Sequence, residues 1–171
     1  MNDTANGTEM AVGVTNVVFA GLGGQGVLKA ADILSEAAFR AGYDLKKAEV
    51  HGMSQRGGFV MSDVRFGARV LSPMVPPGEA DVLVVLDDSQ LESSRYRLKE
   101  KGTVLSASAI DLAALPTKRA LNVAMLGRLS AHLTIPEAAW DQALKASLPE
   151  TSWAVNQAAF ALGRGANPPK A

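Results

Sequence analysis

Cysteine is absent from this 171-residue chain. That absence excludes disulfides, a thiolate nucleophile, a Cys-ligated iron–sulfur cluster and any Cys-bearing zinc site within the chain. Electrons of any redox reaction it serves must therefore travel elsewhere. Surplus charge is absent too: 17 Lys plus Arg balance 17 Asp plus Glu. Without it there is no counterion-release drive toward nucleic acid and no attraction to an anionic membrane. No apolar run approaches the ~20 residues needed to cross a bilayer, and residues 1–10 lack the charged start and apolar core of a secretory signal. The expectation is a soluble, cytoplasmic protein with neither nucleic acid nor membrane as a partner.

At 171 residues and 17.8 kDa the length suits one well-buried core and is short for two domains. Asn16–Ala20 has the β-branched and aromatic content of a strand, and Gly21-Leu-Gly-Gly-Gln-Gly26 turns it sharply. Val27 to Ala41 then reads as a helix, with apolar residues at Val27, Ala30, Ala31, Leu34, Ala38 and Ala41, and Gly42 placed to stop it. Strands are expected over 43–50 and 59–66. In the latter, Val60, Ser62, Val64 and Phe66 face one way and Met61, Asp63 and Arg65 the other, a half-exposed pattern that suits a position near an edge or interface.

The stretch 70–78 is too proline-rich for a central strand, whereas Val82 to Leu86 is a continuous apolar run of the buried parallel kind, ending at Asp87-Asp88. A helix over 91–101 capped by Gly102, a short strand over 103–106, and helices over 122–132, from Pro136 to 148, and over 152–163 complete the chain. Strands alternating with helices predict an α/β fold: a single Rossmann-like domain over 16–163 with a mostly parallel sheet flanked by helices, a flexible N-terminus over 1–15 and a flexible tail over 164–171.

Gly21, Gly23 and Gly26 match the dinucleotide fingerprint, in which a tight turn, a close backbone approach and close helix packing each exclude a side chain. Gly24 and Gln25 complete the loop. The helix start behind it suits a phosphate or carboxylate. Three readings stand side by side: a nicotinamide or flavin site, a site for another anion such as a CoA phosphate, and a structural turn packed on a partner subunit. The ribose-binding acid of the first would lie about 20 residues on. Glu49 is nearest, but Lys46 and Lys47 crowd it and it runs into a polar loop instead of a helix.

That loop is the second motif. His51, Ser54, Gln55 and Arg56, followed by Gly57 and Gly58, put hydrogen-bonding side chains beside backbone able to bend around a ligand. Arg56 can grip a carboxylate or phosphate bidentately; the plainer alternative is an ion pair with Glu49 or Asp63. His51 has no Cys partner, and Ser54 sits in no G-x-S-x-G elbow, which argues against a hydrolase. His132, at the end of an apolar helix, reads as a capping residue. With two His and no Cys a zinc site is not expected; carboxylates leave magnesium formally open, and no residue is assigned to a metal. Asp87-Asp88 lies at a strand's carboxyl end, where open α/β sheets bind ligands, and is equally explained by a solvated turn.

Taken together, Gly21-Leu-Gly-Gly-Gln-Gly26, Glu49-Val-His-Gly-Met-Ser-Gln-Arg-Gly-Gly58, Val64-Arg-Phe-Gly67 and Ser72-Pro73 resemble the gamma-type domain of the pyruvate and 2-oxoacid:ferredoxin oxidoreductases. The second motif in particular is similar to the small (beta) subunits of indolepyruvate oxidoreductases. Gly78-Glu-Ala-Asp81, Asn122-Val-Ala-Met-Leu-Gly127 and Asn156-Gln-Ala-Ala-Phe160 also look like the family, and the 116–119 stretch departs from it.

The resemblance implies an α/β domain of the kind that forms domain III of pyruvate-ferredoxin oxidoreductase. It implies one subunit of a complex that oxidatively decarboxylates a 2-oxoacid to acyl-CoA and passes electrons to ferredoxin. Thiamine diphosphate, Mg2+ and the iron–sulfur clusters are then expected on larger partner subunits, with CoA as co-substrate and no cofactor bound by this chain alone. No independent catalytic residue is expected. Gly21 to Gly26 and Ser54 to Gly58, with His51, become candidates for the CoA site or a subunit interface. A dinucleotide-dependent dehydrogenase subunit and a purely structural assembly subunit remain the alternatives.

Overall fold

The structure, a computed structural model, describes residues 13–52 and 57–165. Its strands are β1 (Val14–Leu22), β2 (Asp44–His51), β3 (Phe59–Gly67), β4 (Ala80–Val85) and β5 (Leu98–Ser106), and its helices α1 (Val27–Arg40), α2 (Leu91–Ser94), α3 (Leu121–Ser130), α4 (Glu137–Ser147) and α5 (Trp153–Gly165). The five strands form one sheet in the order β2-β3-β1-β4-β5. β1, β4 and β5 pair in parallel, while β3 runs antiparallel to both β1 and β2. Four strands therefore point one way and β3 alone is reversed, which keeps the expected mostly parallel α/β sheet.

The unit β1–loop–α1 forms where the local signals place it. Val17 to Ala20 are fully buried, and α1 turns Val27, Ala30, Ala31, Leu34, Ala37 and Ala38 inward. It ends in a Schellman arrangement: Gly42, at φ +87°, donates its N–H to the Phe39 carbonyl, and Tyr43 donates to Ala38. β1 starts at Val14, two residues ahead of the expected Asn16.

Two expectations are corrected. β3 is an interior strand, flanked by β2 and β1, and its Met61 to Val64 are buried on both faces. Its alternating polar residues reflect internal partners for Ser62 and Asp63 and do not indicate solvent. The helix expected over 91–101 shrinks to the four residues of α2 between two 3-10 turns, and Leu98 already begins β5 opposite Ala80. Gly102 is therefore a strand residue and not a helix cap; a Cβ there would stand 2.6 Å from Leu98 Cδ1 and 2.9 Å from the Ala80 carbonyl oxygen. Sheet pairing overrides the helical propensity of Lys99-Glu100-Lys101.

The helices flank the sheet unevenly. Val17, Phe19, Val64, Phe66, Val82, Val84 and Leu105 face one large core that also takes the buried sides of α1, α3, α4 and α5. The alternate residues Val18, Ala20, Met61, Leu83 and Val85 face a smaller cluster, covered by Val75 and Leu91. The proline-rich 70–79 segment straps that second face. Arg65 donates to the Ser72 and Met74 carbonyls and Arg97 to the Val75 carbonyl, while Asp44 and Asp63 accept the N–H groups of Val70 and Val75.

On the helical side α3 and α5 touch backbone to backbone. A Cβ at Gly163 would overlap the Ala124 carbonyl oxygen, and one at Gly127 would overlap that of Phe160. Only glycine permits that approach. Among the described residues no helix is long and apolar enough to cross a membrane.

Candidate functional site

The glycine loop leaves β1 at the carboxyl end of the parallel strands, where open α/β sheets place ligands. Each expected glycine has a steric reason. A Cβ at Gly21 would stand 2.8 Å from Val27 Cγ2 and 3.2 Å from Leu86 Cβ. Gly24 and Gly26 have left-handed φ of +89° and +80°, and a Cβ at Gly26 would overlap the Asn122 amide.

Gly23 is where the two motifs meet. It donates its N–H to the Gly58 carbonyl at 2.8 Å, and a Cβ there would lie 3.3 Å from the Gly57 nitrogen. The structure thus brings Gly21 to Gly26 together with Gly57 and Gly58 in a backbone seam. Ser54, Gln55 and Arg56 lie outside the described residues.

Gln25 folds back into its own loop. Its Oε1 accepts from Leu22 N–H at 2.8 Å, and its Nε2 donates to Asp87 Oδ2 at 2.8 Å. Asp87 also accepts from the hydroxyl of Ser89 at 2.6 Å and from its N–H at 3.1 Å. These bonds, that of the Ser89 side chain foremost and then that of Gln25, hold the Asp87 carboxyl below its ordinary range. Asp87 is therefore a strut of the glycine loop as well as the cap of the following turn. Asn122 is a second strut, donating to the Gly26 carbonyl at 3.3 Å. Neither role could be found from the sequence, because each spans more than 60 residues and rests on one unremarkable polar side chain.

Clefts open on both sides of this loop. One, of about 410 Å3, lies between Gly23-Gly24, Val27, Lys29 and the exposed His51. The other, of about 470 Å3, is walled by Gly24, Gln25, Gly26, Lys118, Arg119 and Asn122. His51 sits at the end of β2, 3.5 Å from Glu49 Oε2. Glu49 is also paired with Lys47 at 2.8 Å, and Lys47 pairs with Asp32 as well.

Lys47 loses charge stabilisation through burial, but its bonds to Asp32 and Glu49 outweigh this and raise its pKa. The Lys47 bond, above all, lowers that of Glu49. Glu49 is thus committed to an ion-pair chain. It also stands on β2, one strand further from β1 than a ribose-binding acid should, because β3 intervenes. Asp63, the other partner considered for Arg56, is buried and bound by Arg97 at 2.6 Å. Among the described residues no three His, Cys, Asp or Glu side chains stand close enough to hold a metal ion.

The sequence and the fold were compared with known proteins. The family model described as pyruvate ferredoxin/flavodoxin oxidoreductase matches residues 16–118. The chain is 50% identical over 93 residues to indolepyruvate oxidoreductase subunit IorB of Thermococcus kodakarensis, covering 53% of this chain and 45% of that one. It is 39% identical over 89 residues to the pyruvate/ketoisovalerate oxidoreductases common subunit gamma of Pyrococcus abyssi, covering 51% and 48%. The match thus spans about half the length of these curated relatives.

Among solved structures, a keto/oxoacid ferredoxin oxidoreductase gamma subunit from Geobacter sulfurreducens is similar with a TM-score of 0.75 and 25% identity, over 89% of this chain and 97% of that one. The 2-oxoglutarate:ferredoxin oxidoreductase from Magnetococcus marinus shares the fold, with a TM-score of 0.77 and 20% identity, over 90% of this chain and 31% of that one.

Proposed function

Since this chain belongs to the pyruvate ferredoxin/flavodoxin oxidoreductase family, we propose that it is the small, thiamine-free and cluster-free subunit of a multi-subunit 2-oxoacid oxidoreductase. The 50% identity to an indolepyruvate oxidoreductase subunit supports an aromatic oxoacid as the substrate. In the assembled enzyme the oxoacid loses CO2, its acyl carbon gives up two electrons that pass to ferredoxin, and the sulfur of CoA takes the acyl group. Thiamine diphosphate with Mg2+ would supply the carbanion chemistry and iron–sulfur clusters the electron path, both from larger partner subunits. The residues here do not fit those groups: the chain has no Cys, and no metal-holding cluster stands among the described residues.

This chain's part is to pack on the thiamine-binding subunit and to offer the joined glycine loop and 51–58 loop as one wall of the CoA site. The observation that carries this is the seam of Gly23 N–H to Gly58 carbonyl. It joins the two motifs, through glycines 35 residues apart, into a single backbone surface with clefts on either side. A loop built only to close a strand onto a helix would not require the second motif to be glycine as well.

The test is co-expression with the thiamine-binding subunit. The isolated chain is expected to be colourless and inactive and to co-purify with that subunit. Gly23→Val, which pushes Gly57 away, and Arg56→Ala should each raise the Michaelis constant for CoA in an enzyme that still assembles. A stable, active monomer sinks the subunit reading. Normal CoA kinetics in both variants would instead assign the loops to assembly alone.

A further inference from the structure

We propose that the outer edge of β2 is a docking surface for a second copy of this chain, with the two β2 strands pairing antiparallel about a two-fold axis at Ala48. The pairing joins the two five-stranded sheets into one. It goes beyond the CoA reading above and does not depend on it.

β2 closes the sheet on one side, with β3 as its only neighbouring strand. In an antiparallel ladder alternate residues bond to the neighbour, and those between them turn their N–H and C=O groups outward. The Gly52 N–H donates to the Phe59 carbonyl at 2.7 Å, and the register that sets His51 opposite Val60 sets Gly52 opposite Phe59. The even-numbered residues of β2 therefore bond to β3. Leu45, Lys47, Glu49 and His51 present their backbone groups to the open edge.

Open edges are ordinarily blunted by a bulge, a proline or a row of charges. The opposite edge of the sheet is guarded in this way: β5 shifts register against β4 between Ala80 and Val82, and Lys99, Glu100 and Lys101 stand exposed along it. β2 has neither bulge nor proline and pairs with β3 residue for residue from Asp44 to His51. Of its two lysines, Lys47 is drawn onto the helical face by Asp32 and Glu49. Only Lys46, on the other face, is left as a guard.

A two-fold axis normal to the sheet keeps each face continuous, so even residues meet even ones and odd residues meet odd ones. Charge then selects the register. An axis at Lys46 or Lys47 brings two ammonium groups together, and one at Glu49 brings two carboxylates together. An axis nearer either end of the strand leaves only a few residues overlapping. With the axis at Ala48, Lys47 of each copy stands opposite Glu49 of the other, and Leu45 stands opposite His51. On the far face Lys46 meets Val50, which is 40% exposed in the single chain, and the two Ala48 methyl groups meet at the axis. Opposite charges facing each other across strands stabilise the pair and like charges destabilise it. The same register makes Lys47 and Glu49 a hydrogen-bonded pair. The two Ala48 residues form a non-hydrogen-bonded one, with Cα atoms about 4.5 Å apart.

The full chain has no Cys, so a single introduced thiol reports a single contact. Ala48→Cys, held at micromolar concentration with oxidised glutathione, should form a disulfide-linked dimer, since the separation at the axis lies within the roughly 4.4–6.8 Å that a disulfide spans. Lys46→Cys and Val50→Cys should each link at least about tenfold more slowly alone than when the two are mixed, because these positions face each other across the pair. In sedimentation equilibrium the parent should be a dimer. Glu49→Lys, which turns both symmetric charge pairs repulsive, should raise its Kd at least about tenfold.

A parent chain that sediments as a monomer throughout the micromolar range overturns the proposal. So do thiols at 46, 48 and 50 that link at equal rates, which is the behaviour of random collision. A dimer that Glu49→Lys leaves unchanged overturns it as well, by placing the contact on another surface. None of these readouts involves CoA, so the edge and the CoA wall stand or fall separately.

Discussion

Replacing Arg97 by alanine should cost the fold about 3–5 kcal/mol, the range for breaking a buried ion pair from one side. Arg97 and Asp63 are 6% and 2% exposed in their side chains and 2.6 Å apart. Arg97 also donates to the Val75 carbonyl at 2.8 Å and to the Met61 sulfur at 2.7 Å. Removing it leaves the Asp63 carboxylate in the sheet's second face with one donor, Val75 N–H, and frees the 70–79 strap from its central anchor. The lost attraction is the smaller part of the cost; the larger is an uncompensated buried charge.

A domain of this size is stable by only about 5–15 kcal/mol, so the loss is a large fraction of the total and should lower the melting temperature by roughly 6–20 °C. Urea titration of the purified chain measures it, with parent, Arg97→Ala, Asp63→Leu and an Arg97→Met/Asp63→Leu variant. The double variant should be more stable than either single one, because it removes both charges and fills the space with apolar atoms. Single variants within about 1 kcal/mol of the parent, or a double variant no better than the sum of its parts, would refute the reasoning.

Gly163→Ala should destabilise by about 1–3 kcal/mol or more in the same titration, because the overlap with the Ala124 carbonyl forces α3 and α5 apart; the helix-propensity gain of about 1 kcal/mol is too small to offset this. His132 has its pKa lowered from 6.5 by burial and by Arg128. The unfolded chain therefore binds the proton first as pH falls through about 6.5, and the stability present above that pH is progressively lost below it. His132→Gln should flatten that slope between roughly pH 7.5 and 5.5, and an unchanged slope would count against the assignment. Gln25→Ala should raise the Asp87 carboxyl toward its ordinary value by removing one of the bonds that depress it, as read from the carboxyl carbon shift against pH; a titration that does not move would break the link between strut and loop.

The β1–glycine loop–α1 unit was readable in the chain because every determinant lies within about 30 residues. The apolar period, the glycines at 21, 23, 24, 26 and 42, and the Schellman stop are all local. The proline-rich strap was readable as a segment that is no central strand, since missing N–H donors forbid it. The second motif was visible as composition, with His51, Ser54, Gln55, Arg56, Gly57 and Gly58 in one stretch, but not as a neighbour of the first. Its carbonyl at Gly58 had to be brought onto Gly23 by the antiparallel β1–β3 pairing, whose register sets Leu22 opposite Phe59.

What the sequence determined by itself was therefore the class of fold, the exclusion of cysteine chemistry and the two motifs that place the chain in its family. Periodicity, turn chemistry and elemental inventory are properties of short stretches. Only the tertiary structure decided that β3 slips between β1 and β2, that Leu98–Lys101 extends as strand, that Asp87 and Asn122 brace the glycine loop, and that Lys118 and Arg119 face it across a cleft. Each of these depends on groups tens of residues apart being brought within a few ångströms. Sheet register and core burial set those distances, and no local preference encodes them.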